Sequence, residues 1–331
     1  LKDATDLGVV VFNTPGANAN AVKELVICGM LLSSRGIVDG INFAKNLDST
    51  DADALNKMLE AQKKTFAGNE LAGKTIGIVG YGNIGSQVSV LAESIGMRVL
   101  FYDIEKKLPL GNAQECRSLK ELVSQSDIVT LHIPETKQSK YLINKGLLRS
   151  FKRGSILINY ARGEVVELEA LSKAITEELI GGAAIDVFPN EPEKNGDLFM
   201  SPLQNLANVI LTPHIGGSTE EAQQNIGEDV SYKLFNYLER GISFGSHTVP
   251  ALAMPPQEGA HRILHIHRNV PGVLSAINAS LSSNNVNILG QYLKTNELIG
   301  YVVLDIDHKL SSKAQSLLKE VPATIKTRLL Y

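Results

Sequence analysis

The 331-residue chain has no tryptophan, only two cysteines, and no apolar run long enough to span a membrane. Cys28 and Cys116 provide no disulfide framework, and neither has sequence neighbours that suggest a metal site or a nucleophile. The net charge of −3 gives no electrostatic reason to bind nucleic acid or an anionic membrane. These absences favour a globular protein of the reducing cytoplasm with two or three domains, and with neither nucleic-acid nor membrane partners.

The most informative segment is a glycine-rich turn between an apolar run and a helical pattern. Apolar residues over 76–79 predict a buried strand, which runs into Gly80, Gly82 and Gly85 with the spacing G-x-G-x-x-G. Gly80 permits the sharp turn, Gly82 lets a dinucleotide pyrophosphate approach the backbone, and Gly85 lets the next helix pack closely. That helix, predicted over 83–95, points its N-terminus at the pyrophosphate, where free N–H groups and the helix dipole favour negative charge.

An acidic residue at the end of the next strand indicates which dinucleotide binds. A second apolar run over 97–102 ends at Asp103, which lies 18 residues beyond Gly85. Its carboxylate can accept hydrogen bonds from both ribose hydroxyls, and it would repel the 2′-phosphate of NADP. A lone G-x-G-x-x-G is most often an ordinary turn, but the strand, the helix and this acid together predict a site that prefers NAD.

The rest of the first two-thirds of the chain alternates between apolar runs and helical stretches. This alternation predicts an α/β fold with a Rossmann-type, doubly wound parallel sheet. Further strands are predicted over 128–132, 155–159, 182–187 and 209–212, and helices over 119–125 and 166–177. Ahead of the glycine-rich turn, the predicted elements are a short strand over 9–13, a helix over 21–34 and a polar helical stretch over 36–68.

The pattern changes after a long amphipathic helix predicted over 218–240. Residues 241–259 are rich in Gly, Pro and small residues, which predicts a linker. The remaining chain has the pattern β-α-β-β-α-β, which is typical of a ferredoxin-like module. Its elements are predicted over 261–267, 271–283, 286–295, 300–307, 311–320 and 324–330.

Three residues that could carry chemistry follow predicted strands, where ligands bind in open α/β sheets. Arg162 stands between a strand end and Gly163, and its guanidinium can bind a substrate carboxylate through two parallel hydrogen bonds. A solvated surface arginine is the ordinary alternative. Glu191 lies among prolines and by itself is typical of a solvated loop, and Glu193 competes with it for the same role.

His214 has the most telling position of the seven histidines, at a strand end before two glycines and a helix start. An imidazole titrates near neutrality and can take or give the proton of a substrate hydroxyl. A carboxylate bound to its other nitrogen would orient it and stabilise the imidazolium. His132, at another strand end, could line the cofactor pocket or pack in the core. His265 and His267 share one strand face, but no further ligand is in view, so the sequence predicts no metal site.

These segments resemble the D-2-hydroxyacid dehydrogenase family, and the C-terminal module resembles the serine-sensing ACT domain of its phosphoglycerate-oxidising bacterial branch. The resemblance covers essentially the whole chain. The matching motifs are NTPGAN at 13–18, GYGNIG at 80–85, NYARG at 159–163, DVFPNEP at 186–192, TPHIGG at 212–217, HRILHIHRNVPGV at 261–273 and NVNILGQY at 285–292.

The resemblance implies roles for individual residues. Arg162, Glu191 and His214 would be catalytic, and Glu191 is preferred to Glu193 because the family's acid directly precedes a proline. Tyr160 departs from the small residue that is usual at its position. The residues implied to contact NAD are Gly80, Gly82, Asn83, Ile84, Gly85, Asp103, Tyr160, Ala161, Arg162, Asp186, His214, Ile215, Gly216 and Gly217. The residues implied to bind the effector serine are His267, Asn269 and Asn287.

The resemblance also implies an activity and an assembly. The activity is NAD-dependent oxidation of 3-phospho-D-glycerate to 3-phosphohydroxypyruvate, the first step of L-serine synthesis, with inhibition by serine. The assembly is a homotetramer. Its domains would be a partial substrate domain with linker (1–30 and 218–259), an NAD-binding domain (31–217) and an ACT domain (260–331). A further N-terminal part of the substrate domain, about 80 residues, would precede Leu1.

Two alternative functions share the nucleotide-binding motifs. One is a family member that acts on another acid, such as glyoxylate, hydroxypyruvate, lactate or 2-oxoglutarate. The other is a non-catalytic, NADH-sensing transcriptional corepressor. The ACT-like module argues against both, because such proteins usually lack one.

Overall fold

The computed structural model describes residues 1–48, 50–192, 194, 198–257 and 259–331. The backbone divides into two compact units, one formed by residues 18–223 and the other by residues 1–17 together with 224–331. Among the residues described, no helix is both long and apolar enough to cross a membrane.

The unit of residues 18–223 is built on a seven-stranded, wholly parallel sheet in the order β3-β2-β1-β4-β5-β6-β7. The strands are β1 (Thr75–Val79), β2 (Arg98–Tyr102), β3 (Gln114–Glu115), β4 (Ile128–Leu131), β5 (Ser155–Asn159), β6 (Ile180–Ile185) and β7 (Val209–Leu211). The helices are α2 (Ala19–Ser34), α3 (Ile37–Lys45), α4 (Ala52–Gln62), α5 (Asn83–Ser94), α6 (Leu119–Gln125), α7 (Lys145–Leu148) and α8 (Leu168–Thr176).

Helices cover both faces of this sheet. On one face α2 and α5 pack against each other and against the strands, around buried residues such as Val26, Ile78 and Val88. On the other face α6 and α8 pack around Leu131, Leu157 and Leu171. The doubly wound sheet predicted from the alternating pattern is therefore confirmed.

The strand order places the site. The chain turns outward from β1 through β2 to β3, and then returns to the other side of β1 with β4. Ligands of open α/β sheets bind in the crevice at such a reversal, outside the carboxyl ends of the strands. The glycine-rich turn directly follows β1, so it lies at this crevice.

The unit of residues 1–17 and 224–331 contains a four-stranded antiparallel sheet in the order β11-β8-β10-β9. Its strands are β8 (His261–Arg268), β9 (Ile288–Thr295), β10 (Ile299–Ile306) and β11 (Thr324–Leu330). Its helices are α1 (Lys2–Asp6), α10 (Val273–Ser282) and α11 (Ser311–Lys319), and most of α9 (Glu220–Arg240) also lies in it. The predicted ferredoxin-like module is confirmed.

One side of the antiparallel sheet packs under α10 and α11, around Ile263, Val302 and Leu318. Arg262 is fully buried, with its Nε 2.6 Å and its Nη2 2.8 Å from the two carboxylate oxygens of Asp305. The guanidinium also donates from Nη1 to the carbonyl oxygen of Arg240, at the end of α9. This buried ion pair joins the sheet to the helix that precedes it.

The prediction of a strand over residues 9–13 is wrong. The segment forms only an isolated bridge between Phe12 and Ser246. The N–H of Val11 donates to the Thr248 hydroxyl, at 3.0 Å, so a side chain takes the place of a ladder hydrogen bond. The predicted polar helical stretch over 36–68 contains α3 and α4, neither of which has a buried residue among those described. The predicted domain boundaries stay predictions.

Candidate active site

The three glycines of the turn have different surroundings. Gly80 has φ of +90°, and a Cβ there would lie 2.5 Å from the carbonyl oxygen of His132. A Cβ at Gly85 would overlap the carbonyl oxygen of Gly80, whereas a Cβ at Gly82 would meet nothing within 4 Å. The first and third glycines therefore allow the turn and the helix–strand packing, and the second leaves open space beside the backbone.

The open space at Gly82 suits a pyrophosphate. Gly82 is the N-cap of α5, and no side chain caps that helix, so its first N–H groups have no side-chain acceptor. Asp103 follows β2 and accepts the Tyr81 N–H at 2.7 Å with Oδ2 and the Glu105 N–H at 2.9 Å with Oδ1. Each oxygen keeps a second lone pair, which can accept from a ribose hydroxyl. The residues present fit a dinucleotide.

Asn159, the buried last residue of β5, fixes the segment that carries Arg162. Its amide nitrogen donates to the carbonyl oxygen of Arg162 at 2.9 Å, and its amide oxygen accepts the Ala161 N–H at 3.2 Å. The guanidinium itself is exposed and donates to the Ala161 carbonyl oxygen at 2.6 Å. The backbone under Arg162 is thus held in place while its side chain is accessible to a ligand.

His214 and Glu191 form a hydrogen-bonded pair. His214 Nδ1 lies 2.7 Å from Glu191 Oε2, and Glu191 Oε1 accepts the Phe188 N–H at 3.0 Å. A carboxylate can only accept here, so Nδ1 carries the proton and Nε2 is the nitrogen free to accept one. Glu193, the competitor for this role, lies outside the described residues.

A buried aspartate holds the loop that carries His214. Asp186, 1 % exposed, follows β6 and accepts the Thr212 hydroxyl at 2.6 Å and the N–H groups of Ile215 and Gly216 at 2.9 and 2.7 Å. These three bonds bracket His214, whose φ of +55° is in the left-handed region. Asp186 therefore supports the loop that carries His214, in addition to the NAD contact predicted for it.

The three predicted catalytic residues surround one cleft of about 740 Å³. The residues that line it include Glu135, Arg162, Phe188, Asn190, Glu191, Lys194 and His214. A guanidinium and an imidazole–carboxylate pair facing one space can bind a small carboxylate and move a proton to or from a neighbouring hydroxyl. The sequence missed Glu135 and Lys194, which no motif distinguishes, and it missed the supporting role of Asn159.

The Tyr160 side chain points into the core. It is 6 % exposed and belongs to the apolar cluster of α2, and burial raises the pKa of its hydroxyl. The large Tyr160 side chain, at a position where the resembling family usually has a small residue, thus packs against α2.

His132 is half-buried, with Nε2 3.0 Å from the Thr130 hydroxyl, and burial lowers the pKa of its imidazole to about 3.

The predicted effector residues do not meet within one chain. His267, buried on β8, pairs with Gly300 at the start of β10, whereas Ile288, next to Asn287, pairs with Ile306 at the other end. Six residues of strand separate the two ends, a distance of about 20 Å. Asn269 is exposed and donates to the Asn296 carbonyl oxygen at 2.7 Å. Any site that uses all three residues needs a second copy of the module.

His265 and His267 lie side by side, with ring centroids 5.2 Å apart. Among the described residues, the Nδ1 atoms of both are buried without a partner. In the same part of the chain, no group of three or more His, Cys, Asp or Glu residues is arranged to hold a metal ion.

Comparison with protein families matches residues 39–216 to the D-isomer specific 2-hydroxyacid dehydrogenase, NAD binding domain. Along its whole length the chain is 46 % identical to D-3-phosphoglycerate dehydrogenase of Haemophilus influenzae, 78 % of which it covers. The chain belongs to the D-isomer specific 2-hydroxyacid dehydrogenase family. Residues 263–326 of the chain match a second family, the AHAS small subunit-like ACT domain. A more distant relative, D-3-phosphoglycerate dehydrogenase 1 of Saccharomyces cerevisiae, is 40 % identical to the whole chain and has 71 % of its length covered.

Solved structures with the same fold include TT0316 from Thermus thermophilus, with a TM-score of 0.61 and 33 % identity over 72 % of this chain and 71 % of that one. D-Lactate dehydrogenase from Aquifex aeolicus, complexed with NAD and lactic acid, has a TM-score of 0.63 and 27 % identity over 76 % of each chain. The predicted enzyme class and the cofactor NAD are confirmed for this dehydrogenase. The roles of its individual site residues stay predictions.

Proposed function

We propose that this dehydrogenase oxidises 3-phospho-D-glycerate to 3-phosphohydroxypyruvate with NAD, the first step of L-serine synthesis. The observation that carries the proposal is the His214–Glu191 pair, at 2.7 Å, facing Arg162 across one cleft in the NAD-binding unit. The substrate is inferred from relatives named D-3-phosphoglycerate dehydrogenase, which match the whole chain at 46 % and 44 % identity.

Arg162 binds the substrate carboxylate. Its guanidinium donates to the carbonyl oxygen of Ala161, which is a neutral acceptor. A carboxylate offers two charged oxygens in the geometry of the guanidinium fork, so it is the stronger partner. Asn159 fixes the backbone of Ala161 and Arg162, so the guanidinium extends from a fixed point. Because His214 lines the same cleft, a carboxylate bound to Arg162 would place the neighbouring C2 hydroxyl within that cleft, on the side of His214.

His214 removes the proton of that hydroxyl. Its neutral imidazole has the proton on Nδ1, held by Glu191, so Nε2 accepts the hydroxyl proton. The imidazolium that forms is stabilised by the Glu191 carboxylate 2.7 Å away. Glu191 is itself oriented by the Phe188 N–H, so it fixes both the tautomer and the direction of the ring.

The cofactor supplies the hydride acceptor when it is bound. The residues that would hold it are the open backbone at Gly82, the first N–H groups of α5 and the Asp103 carboxylate. Asp186 and the backbone of Ile215 and Gly216 keep the loop beside it in one conformation. The residues of the chain therefore bind and orient the substrate and accept the proton of its hydroxyl.

Absorbance at 340 nm tests the proposal. With NAD present, 3-phospho-D-glycerate should give NADH at a kcat/KM at least about tenfold above that for D-lactate, glycolate or D-2-hydroxyglutarate. Preference for one of those acids would assign another activity of the same family. Binding of NADH without turnover of any of them would favour the corepressor alternative.

We also propose that L-serine inhibits the enzyme at the ACT module, through His267, Asn269 and Asn287. The register of β8, β9 and β10 supports a site made by two copies, because Asn287 of one copy can reach the His267 end only across an interface. β9 is an edge strand of this sheet, a position that favours such pairing. Serine would then couple two subunits of a cytoplasmic homotetramer.

A further inference from the structure

Gly29 is a glycine in the interior of α2 without a conformational reason to be one. Its φ is not positive, unlike that of many glycines in this chain. Glycine in a helix interior is less favourable than alanine, and at Gly29 the space around the residue supplies a reason for it. A Cβ at Gly29 would lie 2.5 Å from the hydroxyl oxygen and 3.1 Å from Cζ of Tyr160. Gly29 is therefore the notch in α2 that admits the phenol.

Tyr160 lies between a strand of the sheet and the segment that carries Arg162. It is the first residue after β5, and Ala161 and Arg162 follow it directly. Its ring is packed in the same apolar cluster as Val26 and Met30 of α2, both of which are fully buried. Displacing the phenol would therefore displace the backbone that carries the guanidinium.

The loop that carries His214 also passes close to this helix. A Cβ at Gly216 would lie 3.6 Å from Val22 Cγ2 and 3.9 Å from Leu25 Cδ2, both on α2. The loop after β7 and the segment after β5 thus rest on one helix. The separation between His214 and Arg162 depends on how each of them is seated on α2.

We infer that Tyr160 is a positioning residue of the active site, and that its fit into the Gly29 notch sets Arg162 at the distance from His214 that the substrate requires. The pair acts through the backbone and touches neither reacting atom. The choice of 3-phosphoglycerate as the substrate rests on the proposed function. The packing of Tyr160 against Gly29 does not depend on that choice.

The test compares Gly29→Ala, Gly29→Ala/Tyr160→Phe and the matched control Gly227→Ala. Gly227 lies inside α9, and a Cβ there would meet nothing within 4 Å. Gly29→Ala should raise the KM for 3-phosphoglycerate about tenfold or more, and lower kcat less, while the Kd for NADH changes less than about threefold. Phenylalanine lacks the oxygen at 2.5 Å, so the double variant should recover most of the lost affinity. The control should keep the wild-type KM.

Melting temperatures give an independent reading. Gly29→Ala should lower Tm and Gly227→Ala should leave it unchanged or raise it, although both replace a helical glycine. The inference is overturned if Gly29→Ala keeps the wild-type KM, or if the double variant is as impaired as the single one. If wild-type protein does not oxidise 3-phosphoglycerate, the proposed function fails, and the order of the melting temperatures still tests the notch.

Discussion

Nδ1 of His214 lies 2.7 Å from Oε2 of Glu191, although 23 residues separate them in sequence. The other oxygen of Glu191 accepts the Phe188 N–H at 3.0 Å, so the carboxylate is required to accept on both sides. An amide in its place can accept on one side only, because its NH2 group donates. The pair therefore depends on the charge and on the two acceptors of the carboxylate.

Replacing Glu191 by Gln should lower kcat on the order of 10²-fold. Either the amide NH2 faces the Phe188 N–H, or it donates to His214 Nδ1 and shifts the proton to Nε2, where the hydroxyl proton should be received. NADH formation measured from pH 6 to 10 should show an altered dependence of kcat on pH as well as the lower kcat. An unchanged profile with near-normal kcat would show that the pair has no catalytic role.

Arg162→Lys should raise the KM for 3-phosphoglycerate on the order of 10- to 100-fold and leave the Kd for NADH nearly unchanged. An ammonium carries the charge but cannot form two parallel bonds to a carboxylate. Arg149→Lys, at an exposed arginine outside the residues that line the cleft, is the matched control. Equal KM values in the two variants would remove Arg162 from carboxylate binding.

Much of this site could be predicted, because glycines and strand ends carry strong local signals. The turn at Gly80 and the carboxyl ends of β5 and β7 follow from short-range patterns. The contacts that hold these segments in place do not follow from local patterns. Asp186 accepts hydrogen bonds from residues about thirty positions away, and the glycine at position 29 is explained only by the Tyr160 side chain beside it. β6 begins two residues before the predicted strand over 182–187, because Gly181 interrupts the apolar pattern after Ile180. A Cβ at Gly181 would lie 2.4 Å from the carbonyl oxygen of Gly154, so close backbone approach explains this glycine.

Asn287→Ala should weaken serine binding about tenfold in calorimetric titrations, because a small zwitterion loses one of its few amide partners. The affinity for NADH should not change. Asn278→Ala, an exposed asparagine on α10 of the same module, is the matched control and should bind serine normally. Identical serine affinity in both variants would place the effector elsewhere.

The second unit should lose stability in mild acid because His265 is buried. Burial, with His267 beside it, lowers the pKa of the His265 imidazole to about 4, against about 6.5 in an unfolded chain. Between these values the unfolded chain binds more protons, so the free energy of unfolding falls as pH falls. The expected loss from this residue is about 2 kcal/mol between pH 8 and pH 5.

Urea unfolding at pH 8 and pH 5 measures this loss, with His265→Gln as the comparison. The Thr324 hydroxyl donates to the Leu318 carbonyl oxygen, so it accepts from His265 Nε2, at 2.8 Å. The glutamine amide can replace that donor but does not titrate. The variant should therefore show a smaller difference between the two pH values. The same difference in both proteins would mean that His265 is not the titrating group.

His214 is proposed to be the base of an NAD-dependent oxidation of 3-phospho-D-glycerate. His214→Asn tests it well, because asparagine tolerates the φ of +55° at this position while it lacks the basic nitrogen. NADH formation at 340 nm, with saturating NAD and 3-phosphoglycerate, should be robust in the wild type and about 10³-fold slower in the variant. NADH should bind both proteins with similar Kd. A variant within tenfold of the wild-type kcat, or a wild type that forms no NADH from this substrate, would contradict the account.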